Sequence, residues 1–159
     1  MKPVILIANV VVLAGFALVA NGLLAARPSV PVQPQVVDIG TGKILYAENC
    51  ASCHGVRLEG QKDWRKEGAG GLFPAPPHDE TGHTWHHGDG LLFTYTKYGG
   101  KATFAARGLE NIKSGMPGFG QVLSDQEIWD ILAFIKSTWS ERVRELQVMR
   151  TKAEQSNSP

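Results

Sequence analysis

Large apolar residues recur at helical spacing through Ile128, Ile131, Leu132, Ile135 and Trp139. Residues three and four apart share a helix face, so this run predicts an amphipathic helix with one side buried. Ser124-Asp125-Gln126-Glu127 just ahead of it has the form of a capping box, with Ser124 as N-cap and Glu127 reaching back. The pattern continues weakly through Val143 and Leu146, and residues 147–159 are expected to be a charged, flexible tail. Upstream, Ile44, Leu45 and Ala47 can share one side of a helix from about Thr41 to Ala51. Asp89 is placed to cap a second helix through Leu91, Leu92 and Phe93 to about Tyr98, which Gly99-Gly100 stops. A further short helix is expected over Phe104–Gly108. No stretch alternates with the period of a strand, so the expected fold class is all-α.

The N-terminus has a different pattern. Lys2 is the only charge in residues 1–26, and none occurs from Pro3 to Ala26. An uncharged run of that length can span a bilayer, which takes about 20 residues. A signal peptide cleaved near Leu24-Ala25-Ala26 is the competing reading, although its apolar region usually has only about 7–15 residues. Lys2 inside and the rest of the chain outside satisfies the positive-inside bias. Pro28, Pro31 and Pro34 then mark 27–38 as an extended linker. The folded domain is expected over 39–146.

Composition narrows the function. At 43% hydrophobic residues the domain can build a core without disulfides, and a formal net charge of +1 gives no footprint for nucleic acid. Both cysteines lie in Cys50-Ala51-Ser52-Cys53-His54. Cys-x-x-Cys-His is the attachment signature of c-type haem. Thiols one helical turn apart can each add to a vinyl group, while the adjacent imidazole reaches the iron. A redox Cys pair would want a βαβ setting, which is missing. A zinc site would need a fourth ligand, which a histidine from 78–87 could supply. Of three methionines, Met1 begins the uncharged run and Met149 lies in the charged tail. Met116 sits in the stiffened Gly115-Met116-Pro117-Gly118 loop and is the candidate second iron ligand, a core methionine being the alternative.

Gly42-Lys43-Ile44-Leu45-Tyr46, then Asn49 to Gly55, then Gly115 to Phe119 and the terminal helix together resemble the class I (mitochondrial-type) cytochromes c, in a bacterial, membrane-anchored, single-haem form. The resemblance covers about residues 38–140. It implies covalent haem c on Cys50 and Cys53, with His54 and Met116 as axial ligands. It also implies a close crossing of first and last helices, Gly42 and Tyr46 against Leu132 and Ile135. A proline carbonyl, from Pro76 or Pro77, would accept the His54 N–H.

Residues 78–88 hold four of the five histidines and resemble a subgroup of small bacterial monohaem cytochromes. They are expected to cover the haem edge, with Trp85 and one histidine bonding a propionate. A copper or zinc site from His78, His83, His86 and His87 is the alternative. Lys97, Lys101, Arg107 and Lys113 against Glu110 suggest a basic rim that steers an acidic partner. No nucleophile–base pair or phosphate loop is present.

The expected function is therefore electron transfer by a carrier tethered to the inner membrane, its haem domain in the periplasm or its equivalent. The expected partners are redox proteins, such as a quinol-oxidising complex and a terminal oxidase or reductase. Rival readings are a fixed subunit of a membrane oxidoreductase, a haem or copper accessory protein, and an enzyme with an open iron position.

Overall fold

A computed structural model describes residues 30–157. The expected membrane helix at 1–26 lies outside the described residues. Among those residues no helix is long and apolar enough to cross a membrane. Six α-helices follow in order: α1 Ile39–Asn49, α2 Ala51–His54, α3 Asp89–Tyr98, α4 Gly100–Ala105, α5 Asp125–Ser137 and α6 Glu141–Ser156. Short 3₁₀ turns at Ala69–Gly71 and Thr84–His86 interrupt the long loop between α2 and α3. No strand occurs among the described residues.

The α5 helix starts as its sequence predicts. The Ser124 side chain accepts from the Glu127 N–H, and Glu127 Oε2 accepts from the Ser124 N–H at 2.7 Å, completing the capping box. Ile128, Ile131, Leu132 and Ile135 form its buried face. This face packs on α1, whose Asp38 N-cap is itself tied to α5 by a 2.8 Å bond from the Asp38 N–H to Asp130 Oδ1. At Gly42 the two helices meet backbone to backbone. A Cβ there would lie 2.0 Å from the Asp130 carbonyl oxygen. The expected crossing thus occurs, with Gly42 closest to Asp130 and Ile131 and with Tyr46, Leu132 and Ile135 in one core cluster. Tyr46, one turn on, meets Phe134 with ring centroids 5.5 Å apart.

Three helix boundaries differ from expectation. Asp89 is the first residue of α3 rather than its cap, which is Gly88. Its carboxylate is instead buried against the Lys136 ammonium and accepts from Gln147 Nε2 at 2.8 Å. The short helix occupies Gly100–Ala105, because Gly99 at φ 82° turns the chain and lets a new helix begin at once. The last apolar run is split. α5 ends at Ser137, and Trp139 sits in the break at 2% exposure, before α6 begins.

Residues 147–156, expected as flexible tail, form the later turns of α6. Gln147 and Thr151 are buried, and their partners explain why the helix docks. The Asp89 N–H donates to Thr151 Oγ1 at 3.1 Å and the Gly90 N–H to Glu154 Oε2 at 3.0 Å. The first N–H groups of a helix lack internal partners, and here α6 supplies them to α3. Burial works to raise the Asp89 pKa, but Lys136, Gln147 and the Gln33 N–H prevail and hold it below the ordinary carboxylate value.

Gly42→Ala should destabilise the domain by about 1–3 kcal/mol, through overpacking that outweighs the better helix propensity of alanine. Urea unfolding of the haem-loaded protein checks this. Wild-type stability would show that α1 and α5 can move apart at no cost.

Candidate functional site

The Cys-x-x-Cys-His motif straddles a helix break. Cys50 ends α1, its N–H bonded to the Tyr46 carbonyl at 2.9 Å, and α2 carries Cys53 and His54 until Gly55 at φ 84° ends it. Both thiols are free, Cys50 buried and Cys53 exposed. Burial raises the Cys50 thiol to about 11. Tyr46 reaches forward along α1 to donate its hydroxyl to the Gly55 carbonyl at 3.0 Å, fixing the motif to the helix that delivers it.

His54 is buried and donates from Nδ1 to the Pro76 carbonyl at 2.8 Å. The acceptor is thus Pro76. The Pro77 carbonyl instead faces Thr84 Oγ1 at 3.4 Å. This bond leaves Nε2 as the nitrogen available to a metal, and burial lowers the His54 pKa against the opposing effect of Pro76. The prolines are held by the loop that follows the motif. Gly60, at φ 67°, packs so closely that a Cβ would lie 2.4 Å from Pro77 N, and the Leu58 carbonyl accepts the His78 N–H at 2.8 Å.

Met116 lies half-buried in a loop strapped to the end of α3 and the start of α4. The Gly100 N–H donates to the Met116 carbonyl at 3.1 Å, and the Met116 N–H to Ser114 Oγ at 3.2 Å. Ser114 is in turn bonded to the Tyr95 hydroxyl at 2.7 Å. Farther on, the Phe119 and Gly120 N–H groups bond the Thr96 and Lys97 carbonyls. One segment joins the two halves of the site. Lys113 Nζ donates to the Gly70 carbonyl at 3.0 Å and Leu72 packs toward Gly115, while the same segment runs on to Pro76 beneath His54.

The cytochrome c family model matches residues 39–139. The chain belongs to the cytochrome c family. It is also 34% identical over 113 residues to a thiosulfate dehydrogenase of Stutzerimonas stutzeri, covering 70% of this chain and 31% of that protein. A thiosulfate dehydrogenase of Psychrobacter arcticus is 38% identical over 94 residues, 58% of this chain and 24% of its own length. The chain thus spans less than a third of either relative. No solved structure is a significant match.

A cytochrome c carries covalently bound haem, and these residues fit it. Two free thiols stand three positions apart, the imidazole between them and Pro76 is oriented with Nε2 uncommitted, and a thioether sits in a braced loop. The family membership makes electron transfer the activity of the domain.

In the histidine-rich stretch Trp85 donates its indole N–H to the Glu80 carbonyl at 3.3 Å and stacks on His86 at 3.6 Å. His83 stacks on Trp64 at 5.2 Å and meets His87 edge-on at 5.3 Å. Among the described residues no three His, Cys, Asp or Glu side chains converge to hold a metal ion, which removes the geometric basis for a copper or zinc site. Sequence reasoning named His78 only as one of four candidate metal ligands and did not foresee that its ring stacks on His54. The run Pro76-Pro77-His78 was its available signal, since a residue so near a stiffened acceptor has little choice of position.

The basic rim is also partly neutralised. Lys97 pairs with Asp125 at 2.6 Å and Arg107 with Glu154 at 3.6 Å. Lys101 and Lys113 make no ion pair among the described residues.

Burial, with smaller contributions from His83, His86, Arg107 and Arg150, lowers the His87 pKa from 6.5 to about 4. The folded state therefore holds His87 neutral where the unfolded chain takes up a proton. Its contribution is intact above pH 6.5, declines as pH falls toward about 4, and declines no further below that. His87→Gln should flatten stability against pH across that window, measured by denaturant unfolding at a series of pH values. An unchanged slope would assign acid sensitivity to other groups.

Proposed function

We propose that this protein is a single-haem electron carrier tethered to the inner membrane, with its domain on the periplasmic or equivalent side. The observation that carries the reading is the buried His54 oriented by Pro76 at the end of the attachment motif, and the Met116 loop braced by Gly100 and Ser114 supports it. Haem c supplies an iron centre that alternates between ferric and ferrous states. The protein contributes everything else. Cys50 and Cys53 would anchor the group, His54 and Met116 would hold its iron, and the Pro76 carbonyl fixes the tautomer and orientation of His54. A thioether ligand would favour the reduced form and a relatively high potential. With His54 and Met116 both on the iron, the haem would supply electron transfer without substrate binding at the metal.

The uncharged run from Pro3 to Ala26 supports the tether. The expected extended linker is in part docked: the Gln33 N–H bonds Asp89, the Val36 carbonyl accepts from Gln126 and Val37 packs on the core. A quinol-oxidising complex as donor and a terminal oxidase or reductase as acceptor fit a high-potential carrier in that compartment. A fixed place in a larger oxidoreductase shares the same chemistry, and purification in mild detergent separates the two by whether other subunits remain bound. Kinship to thiosulfate dehydrogenases favours a second reading, in which the domain takes electrons from an enzyme acting on thiosulfate or is part of one.

Met116→Ala should lower the midpoint potential and let carbon monoxide bind the ferrous protein. An unchanged spectrum and potential would assign the sixth position to another residue. Thiosulfate added to the purified ferric protein should leave its spectrum unaltered, whereas rapid reduction would favour the enzymatic reading.

Intact-mass analysis of the membrane fraction should find a chain that retains residues 1–26. A soluble protein beginning at Arg27 would refute the tether and leave the haem assignment untouched.

A further inference from the structure

The rings of His54 and His78 stack face to face, with centroids 3.9 Å apart and planes 24° from parallel. His78 also meets the Tyr46 ring edge-on at 6.0 Å. Its backbone is pinned at both ends. The N–H donates to the Leu58 carbonyl at 2.8 Å, and the carbonyl accepts from Trp139 Nε1 at 2.8 Å. Its Nδ1 is buried and has no hydrogen-bond partner, so ring contacts and backbone bonds hold the imidazole at this edge. Two residues earlier, Pro76 accepts the His54 N–H. One rigid segment therefore touches His54 twice, at the edge of its ring through Pro76 and on its face through His78.

Building on the His54 ligation proposed above, we propose that His78 is a positioning residue that fixes the plane of the axial imidazole. A single hydrogen bond at Nδ1 constrains where that nitrogen points, but leaves the ring free to rock about the bond's axis. A flat ring stacked on one face removes that freedom, since rotation would drive the imidazole edge into its neighbour. The orientation of an axial imidazole governs how its orbitals overlap with the iron, so a device that sets it acts on the electronic structure of the haem as well as on stability. Trp139 belongs to the same device. It sits at the break between α5 and α6, and its N–H holds the carbonyl of His78 in place. The α1–α5 crossing thereby reaches His54 by two routes, through Cys50 at the end of α1 and through Trp139 beyond the end of α5.

The test uses the haem-loaded protein and reads the ligand plane directly. Low-spin ferric electron paramagnetic resonance and the spread of haem-methyl proton shifts both respond to imidazole orientation. His78→Ala should shift the ferric g-values and alter the spread of the methyl shifts, and His78→Phe, which keeps a flat ring, should restore both toward wild type. Trp139→Phe keeps the volume but removes the N–H, and should move the g-values in the same sense by a smaller amount. An alanine variant that loses thermal stability with unchanged g-values and methyl shifts would make His78 a packing residue and overturn the proposal. If the alanine variant does not fold, unchanged g-values in Trp139→Phe would overturn it equally. Loss of the His-ligated spectrum from wild-type protein on His54→Ala is the separate control for the ligation itself. Were His54 not the ligand, that variant would keep the spectrum, a result distinct from any outcome at position 78.

Discussion

Backbone contact between α1 and α5 at Gly42 is the constraint on which the site depends, because each helix ends at one side of His54. α1 runs into Cys50 and carries the whole attachment motif on its C-terminal end. α5 runs into Trp139, which takes hold of the His78 carbonyl. A shift of one helix along the other would move the imidazole relative to the loop that orients it. Glycine matters at the crossing for its missing side chain, since both helices keep ordinary backbone angles there. The bond from the Asp38 N–H to the Asp130 carboxylate adds a polar tie one turn away.

Beyond the matched residues 39–139, α6 adds a second layer of restraint on the loop that holds Pro76 and the histidines. Gln147 donates to the His87 carbonyl at 3.2 Å and to Asp89, and the Ser140 N–H donates to Glu80. Asp89 sits at the centre of this network with Lys136. An ion pair so buried contributes little net stability compared with apolar packing, yet removing either partner strands a charge and is strongly destabilising. Its use here is geometric. It demands that α5, α6, the start of α3 and the segment around Gln33 all converge on one carboxylate, and few other arrangements of these elements can meet that demand.

Sequence read the helices well where their signal was local. The Ser124–Glu127 box and the buried spacing of α5 depend on residues within one element, as does the Cys-x-x-Cys-His motif. The errors occurred where a residue answers to something distant. Asp89 has the form of a cap, but the buried Lys136 competes for its carboxylate. Residues 147–156 have the composition of a tail, yet Thr151 and Glu154 accept the N–H bonds at the uncapped start of α3, and Gln147 donates to the Asp89 carboxylate. His78 looked like one of four similar histidines. Only the fold distinguishes the one that lies against His54 from those that stack on Trp64 or Trp85.

The same contrast between composition and placement bears on how the protein meets its partners. Lys97, Lys101, Arg107 and Lys113 form a basic run in sequence, and charge of that kind raises encounter rates with an acidic surface. In the fold Lys97 and Asp125 lie within 2.6 Å, and Arg107 lies 3.6 Å from Glu154, so each presents a dipole to a distant partner rather than a net charge. Steering would therefore fall to Lys101, beside the Met116 loop, and Lys113, which bridges to Gly70. Two charges act over about one Debye length, roughly 8 Å at physiological ionic strength, which is short compared with the size of the domain. A tethered domain already searches a restricted volume, so it gains less from long-range attraction than a freely diffusing one. On the proposed reading, the paired lysine and arginine serve the fold: Lys97 joins α3 to the start of α5, and Arg107 joins the α4 turn to α6. Specificity toward a partner then rests on short-range fit around the haem edge more than on the field of the whole molecule.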